Sequence, residues 1–308
     1  MNILVTGGAG FIGSNVADAY IQEGHSVIII DDLSSGKKEN VHPQATFYHL
    51  AIQSPAIEKI FQNHKIDVIN HHAAQMDVRK SVADPKFDAS VNILGMLNVM
   101  ELGLKYGVKK IIFASTGGAI YGEQDYFPAD ERHTLRPLSP YGIAKLATEK
   151  YLFYYFAVHG IQHVILRYAN IYGPRQNPHG EAGVVAIFTS KMLAGEQPVI
   201  NGDGKQTRDY VFVGDVVRAN VLALSHDKTD VFNIGTGIET DVNSLFHHLK
   251  KFTGASCEEK HAPAKAGEQL RSVIDHSKAK KILGWNPTVN VEEGLKKTVE
   301  FFRNEVKR

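Results

Sequence analysis

At 308 residues, with 43% hydrophobic and 22% charged side chains, the chain can bury a sizeable core and is neither disordered, collagen-like nor coiled-coil. Its 34 basic and 33 acidic residues leave a net charge of +1, which gives no general pull toward nucleic acid or anionic lipid. A single cysteine, Cys257, excludes an internal disulfide and a cysteine-ligated zinc site. No apolar run reaches the ~18 residues of a membrane span, and the first residues lack the pattern of a secretion signal, so a cytoplasmic protein is expected.

In chain order, Ile3 to Val5 is a β-rich run that ends at Thr6-Gly7-Gly8. Phe11 to Gln22 has helical spacing, and Gly24 stops it. Val27 to Ile30 is continuously apolar, as expected of a strand buried on both faces. The runs Val68-Ile69, Ile111 to Ala114 and Val164 to Leu166 read alike. Helix-like stretches lie between them, near Ala56 to Asn63, Phe87 to Tyr106 and Ile143 to Val158. This alternation predicts an α/β fold, a doubly wound parallel sheet with helices on both faces and right-handed crossovers. From about Gly173 the rhythm loosens. Segments 172–183 and 201–209 are crowded with Gly, Pro, Asn and Arg, and loops of this kind among regular elements carry function. A helix-like stretch at Val291 to Phe302 closes the chain. We assign a cofactor domain to 1–173 and a smaller substrate domain to 174–308. The second is interleaved with the first, because 212–240 is expected to return to it.

The segment Thr6-Gly7-Gly8-Ala9-Gly10-Phe11-Ile12-Gly13 follows a strand and opens a helix. Gly8, Gly10 and Gly13 satisfy G-x-G-x-x-G. Glycines allow the tight turn and let backbone N–H groups reach a pyrophosphate at the helix N-terminus, and Gly13 lets the helix pack close to the sheet. The next strand ends at Asp31, 18 residues after Gly13. A carboxylate there accepts hydrogen bonds from ribose hydroxyls and repels the extra phosphate of NADP, so the pattern predicts NAD.

Tyr141 and Lys145 stand at i and i+4 in a helical stretch, one turn apart on one face. An ammonium beside a phenol stabilises the phenolate, and such a tyrosine can exchange a proton with a substrate hydroxyl while hydride moves to or from a nicotinamide. None of the 15 histidines falls in a metal-ligand pattern, so no metal is expected.

These segments, with His72-Ala73-Ala74-Gln75, Tyr121-Gly122, Leu166 to Asn170, Gly202 to Tyr210 and Leu283-Gly284-Trp285, resemble the UDP-glucose (UDP-galactose) 4-epimerases of the extended short-chain dehydrogenase/reductase family over essentially the whole chain. The resemblance implies a Rossmann-like fold and a reaction without net redox change. Hydride leaves C4 of the sugar for NAD⁺ while Tyr141 takes the 4-hydroxyl proton; the 4-keto sugar turns over, and hydride returns to its opposite face. Lys145 tunes Tyr141 and holds the nicotinamide ribose. Cofactor contacts are implied for Gly7, Gly10, Phe11, Ile12, Gly13 and Asp31, then for Ile52, Ala73, Ala74, Gln75 and Asn92, and for Tyr141, Lys145 and Tyr168. Substrate contacts are implied for Asn170, Val184, Val185, Asn201, Arg208 and Tyr210. Lys265 stands where the family has a second arginine, with Glu268 beside it and Arg271 near enough to substitute. His179 and Glu181 sit in the substrate loop.

Related 4,6-dehydratases carry an Asp-Glu pair ahead of the Tyr-Gly pair, and this chain has Gly118 and Ala119 there, which leaves C4 chemistry. The family's hydroxyl residue falls on Gly117, so Thr116 is the candidate to take its part. Family members pair through helices like the one carrying Tyr151 to Phe156, so a homodimer is implied. Alternatives are a 4-epimerase of another nucleotide sugar, built on UDP-N-acetylglucosamine, UDP-glucuronate or a dTDP sugar, and a non-catalytic NAD-sensing protein on the same fold.

Overall fold

The computed structural model describes residues 1–179, 183–264 and 269–306. The first part of the chain forms β1 (Asn2–Thr6), α1 (Phe11–Gln22), β2 (Ser26–Asp31), β3 (Thr46–His49), α2 (Glu58–Asn63), β4 (Val68–His71), α3 (Val78–Ala83), α4 (Pro85–Ala89), α5 (Met96–Lys105), β5 (Lys110–Thr116), α6 (Pro140–His159) and β6 (Gln162–Tyr168). The remainder forms β7 (Asn170–Tyr172), α7 (Val184–Leu193), β8 (Ile200–Asn201), β9 (Thr207–Phe212), α8 (Val213–Ser225), β10 (Asp230–Ile234), β11 (Glu239–Asp241), α9 (Val242–Thr253), β12 (His261–Ala262), β13 (Arg271–Ser272), α10 (Ser277–Leu283) and α11 (Val291–Val306).

Among the described residues the main sheet has seven strands in the order β10-β6-β5-β4-β1-β2-β3. Every pairing in it is parallel. This is the doubly wound order with β10 added beyond β6. The winding reverses between β1 and β4, and in such sheets a crevice opens there at the carboxyl ends of the strands. Ile3, Val5, Ile112, Val164 and Leu166 pack against α1 and α8 on one face. Leu4, Ile28, Ile30, Ile69, Phe113 and Ile165 pack against the α2, α5 and α6 side on the other. Burial on both faces is why these strands read as unbroken apolar runs.

The chain returns to this sheet late. Helix α8 packs on α1, and β10 extends the sheet beside β6. Helix α10 lies on α8 and β10, and the other late elements build a cap with its own core, where Phe188 of α7, Leu245 and Phe246 of α9 and Leu295 of α11 meet Tyr172 and Phe212.

Helix α6 has strong local stop and start signals. The Ser139 hydroxyl accepts from the Gly142 N–H at 3.1 Å, Pro140 occupies the first turn, and Gly160 ends the helix at φ 72°. The single helix expected over Phe87 to Tyr106 is instead α4, one π-helical turn at Ser90–Gly95, and α5. The wide turn admits one extra residue and re-aims Asn92 without ending the helical run.

Candidate active site

The glycine turn is dictated by space at backbone level. Gly7 has φ +70°, and a Cβ there would lie 2.6 Å from the Ala73 nitrogen. A Cβ on Gly13 would lie 2.3 Å from the Gly7 carbonyl oxygen. No side chain of the described residues caps the α1 N-terminus behind Gly10, which leaves its amide N–H groups directed at the crevice. Asp31, at the end of β2, is buried, and its carboxylate accepts from the Ala9 N–H at 3.0 Å and the Leu33 N–H at 2.8 Å. Burial raises its pKa against those two bonds. Asp31 therefore braces the glycine loop as well as marking the strand end where ribose hydroxyls are expected. A cradle that any Cβ would fill, at an uncapped helix N-terminus, fits a dinucleotide pyrophosphate.

The other expected cofactor residues, with one exception, follow the carboxyl ends of β3 and β4 or lie on α1, the π turn and α6. Phe11 packs toward the cap core and Ile12 toward the main core, so their side chains are spent on packing. Ile52 is buried against Gly95 of the π turn. The Ala73 N–H donates to the Thr6 hydroxyl at 3.2 Å, and half-buried Ala74 follows. Gln75 and Asn92 clasp each other. The Gln75 N–H donates to Asn92 Oδ1 at 2.9 Å, and Asn92 Nδ2 donates to the Gln75 carbonyl at 2.8 Å.

Tyr168 is the exception. Its phenol lies in the core on the α1/α8 face, where its oxygen accepts from Asn220 Nδ2 at 2.9 Å. Strand alternation is the reason, because Tyr168 has the parity of Leu166 and Val164. Its side chain does not belong to the cofactor crevice. Sequence reasoning had the means to see this in the parity of β6.

Tyr141 and Lys145 sit at the start of α6. The Tyr141 N–H donates to the Ser81 hydroxyl at 3.2 Å, a tie from α3 that no motif announces. Lys145 is 4% exposed, and its Nζ donates to the Ala114 carbonyl at 2.8 Å. The Nζ lies 4.8 Å from the centre of the Phe113 ring and 5.8 Å from that of Tyr141. Burial pushes Lys145 down to about 8, and the Asp88 and Glu149 carboxylates oppose that shift. One turn beyond Lys145, Glu149 grips Arg167 through Nε at 3.0 Å and Nη2 at 2.6 Å, and accepts from Ser115 at 2.6 Å. Ser115 is thereby committed to the core.

A Cβ on Gly117, where the family has its hydroxyl residue, would lie 2.8 Å from Ile274 Cδ1, so the end of that side chain would have to shift to admit one. Thr116 pairs in register with Tyr168, and its hydroxyl accepts from the Ala119 N–H at 3.2 Å, closing the turn after β5. A Cβ on Gly118 would lie 3.4 Å from Asn170 Oδ1 and 3.9 Å from the Thr116 hydroxyl, so these two polar groups flank Gly118.

On the cap side, Asn170 and Tyr210 are register partners across β7 and β9. Arg208 precedes Tyr210 by two residues, so both project from the same face of β9. Arg208 Nη1 also donates to the Thr207 carbonyl at 2.8 Å. Val185 is buried in the cap core, while Val184 opens α7 half-buried. The Asn201 carbonyl accepts from Gln206 Nε2 at 3.0 Å. Arg271 is not brought to Arg208. It pairs in register with Thr207, and Arg208 with Ser272, so alternation sends the two arginines to opposite faces. Its guanidinium makes a bidentate pair with Glu239, at 2.9 and 2.8 Å, and lies 3.8 Å from the centre of the Phe127 ring. Lys265, Glu268 and Glu181 lie outside the described residues.

A parallel sheet with a glycine-rich turn at its switch point, and a Tyr–Lys pair on the helix after β5, defines a nucleotide-dependent oxidoreductase-type site. The sequence profile of the NAD dependent epimerase/dehydratase family matches residues 3–235, and the chain belongs to that family. The UDP-glucose 4-epimerase of Mycolicibacterium smegmatis is 44% identical over 310 residues, covering 99% of each chain. The crystal structure of the Thermotoga maritima UDP-glucose 4-epimerase with UDP-glucose is similar at a TM-score of 0.97 and 54% identity, covering 99% of this chain and 100% of that one. The Thermus thermophilus UDP-glucose 4-epimerase in complex with NAD aligns at a TM-score of 0.94 and 42% identity, covering 98% of this chain and 99% of that one. No described helix is long and apolar enough to cross a membrane.

Proposed function

We propose that the chain is an NAD-dependent 4-epimerase that interconverts UDP-glucose and UDP-galactose through a transient 4-keto sugar. The observation that carries this reading is the Tyr141–Lys145 pair at the start of α6 in a chain whose glycine turn follows β1, with Gly118 and Ala119 where a dehydratase would need acids. Bound NAD supplies a reversible hydride acceptor held against the sugar. Tyr141 takes the proton of the 4-hydroxyl and later returns it. The Lys145 ammonium stabilises the phenolate between those events. Arg208 offers a planar fork to the diphosphate, and Asn170, beside Thr116, offers an amide to the diphosphate or sugar. Gly7, Gly10, Gly13, Asp31, Gln75 and Asn92 hold the cofactor. The exposed aromatic side chains Tyr151, Phe153, Tyr154 and Phe156 on α6 support a homodimer through that helix. The dependence on NAD and a nucleotide sugar suits the cytoplasm.

The purified protein should carry NAD and convert UDP-galactose to UDP-glucose without added oxidant. Tyr141→Phe should abolish conversion while retaining the cofactor. Normal turnover in Tyr141→Phe, or no turnover of either sugar by wild type with NAD bound, would overturn the reading.

A further inference from the structure

We propose that Asp88 is the buried counter-charge that favours the Lys145 ammonium beside Tyr141, acting through space across the packing of α4 on α6, a positioning residue set in place by Gln75 and Asn92. The proposal deepens the epimerase reading and rests on it only for the part Lys145 plays in turnover.

Asp88 lies on α4, which packs against α6, and is 1% exposed. Its Oδ1 accepts from Gln75 Nε2 at 3.0 Å and from Asn92 Nδ2 at 2.9 Å. Its Oδ2 is buried with no hydrogen-bond partner among the described residues. A buried carboxylate oxygen without a donor is costly unless a cation offsets it. Lys145 is the buried cation of the facing helix. An ammonium has three donors, and the Ala114 carbonyl takes one.

The competing charges are accounted for. Glu149 is tied in the bidentate pair with Arg167 of β6. His71 and His72, at the end of β4, are kept neutral by burial, with His72 pushed down to about 3. Arg79 and Lys80 on α3, and Lys86 on α4, are exposed. Asp88 is correspondingly the largest influence favouring the Lys145 ammonium, ahead of Glu149. The π turn makes the arrangement possible, because it aims Asn92 back at both Gln75 and Asp88. Thr148 of α6 fastens that turn through the Asn92 carbonyl at 3.2 Å.

The experiment is the pH profile of kcat/KM for sugar conversion. Tyr141 must be phenolate to take the proton, which sets an acid limb, and Lys145 works as an ammonium, so activity should fall on the alkaline side as pH rises through about 8. Without the Asp88 charge the ammonium loses its proton more readily, so in Asp88→Asn the alkaline limb should move to lower pH by about one unit. Asp88→Glu should restore part of the shift. A purely structural role would lower NAD content or thermal stability and leave the limb in place, and an unmoved limb in folded Asp88→Asn overturns the proposal. A second measurement covers failure of that variant to fold, or wild type inactive on every sugar. In wild-type protein with selectively ¹³C-labelled aspartate and lysine, the Asp88 carboxyl carbon and Lys145 Cε should share an inflection. An Asp88 carbon unresponsive to the Lys145 titration overturns the proposal independently of the epimerase reading.

Discussion

The Glu149–Arg167 pair lends itself to a sharp test, because both partners are 5% exposed and neither can be re-solvated in place. Glu149→Gln keeps the volume and one acceptor but removes the charge. Arg167 then keeps the Tyr121 hydroxyl at 3.1 Å and the Gln carbonyl, with its cation uncompensated. Breaking one side of a buried pair costs about 3–5 kcal/mol. That is a large part of the ~5–15 kcal/mol that keeps a domain folded. For a chain of this size each kcal/mol corresponds to about 2 °C, so the melting temperature should fall by roughly 6–10 °C. The scan is run at saturating NAD, because cofactor loss would add its own destabilisation. Arg167→Met and Glu149→Leu alone should each fall by a similar amount, which closes the cycle. Glu149→Leu with Arg167→Met together should recover at least half of the loss, since an apolar replacement removes both desolvation penalties at once. A single-variant loss below about 1 kcal/mol, the range of an exposed ion pair, would refute the reasoning. So would simple additivity in the double variant, which would mean that the two side chains do not act on each other.

Gly13→Ala places a methyl 2.3 Å from the Gly7 carbonyl oxygen, a backbone atom that cannot turn aside. Overpacking of this kind costs roughly 1–3 kcal/mol, and the displaced turn should release NAD. A variant that purifies with full cofactor and an unchanged melting temperature would contradict the close-approach argument. Arg208→Ala should raise KM for the nucleotide sugar at least tenfold. Arg271→Ala should change it less than threefold, because that guanidinium is engaged with Glu239 and Phe127. Kinetics on the two variants decide the matter, and the reverse order would refute the assignment of faces.

What was legible in the sequence was what backbone geometry imposes locally. The glycine turn could be read because Gly7 and Gly13 have no alternative residue at those distances. The parallel sheet could be read because its strands are buried on both faces. Tyr141 and Lys145 were legible as one helical turn. The side chains of Tyr168 and Arg271 were not legible, because motif position says which strand a residue is on, while parity says which face it takes. Asp88 and Ser81 carry no local signal at all. Their parts depend on how α3, α4 and the π turn lie against α6, a matter of packing among elements tens of residues apart.

The i, i+4 spacing that marks the catalytic pair has a continuation that the motif does not include. Tyr141, Lys145 and Glu149 fall on one stripe of α6, so the same face carries the acid–base residue, its cation and the carboxylate that locks α6 to β6. From Arg167 the bonds run on through the Tyr121 hydroxyl to Asn233 Oδ1 at 2.6 Å, on β10. Strand β10 is where the chain rejoins the sheet after visiting the cap. The helix face that performs proton transfer is therefore registered against the segment that ties cap to sheet. Perturbing Glu149 should loosen cap placement, and hence raise KM, before it alters the chemistry at Tyr141. A Glu149→Gln enzyme with unchanged KM and a reduced kcat would show instead that the stripe serves Lys145 alone.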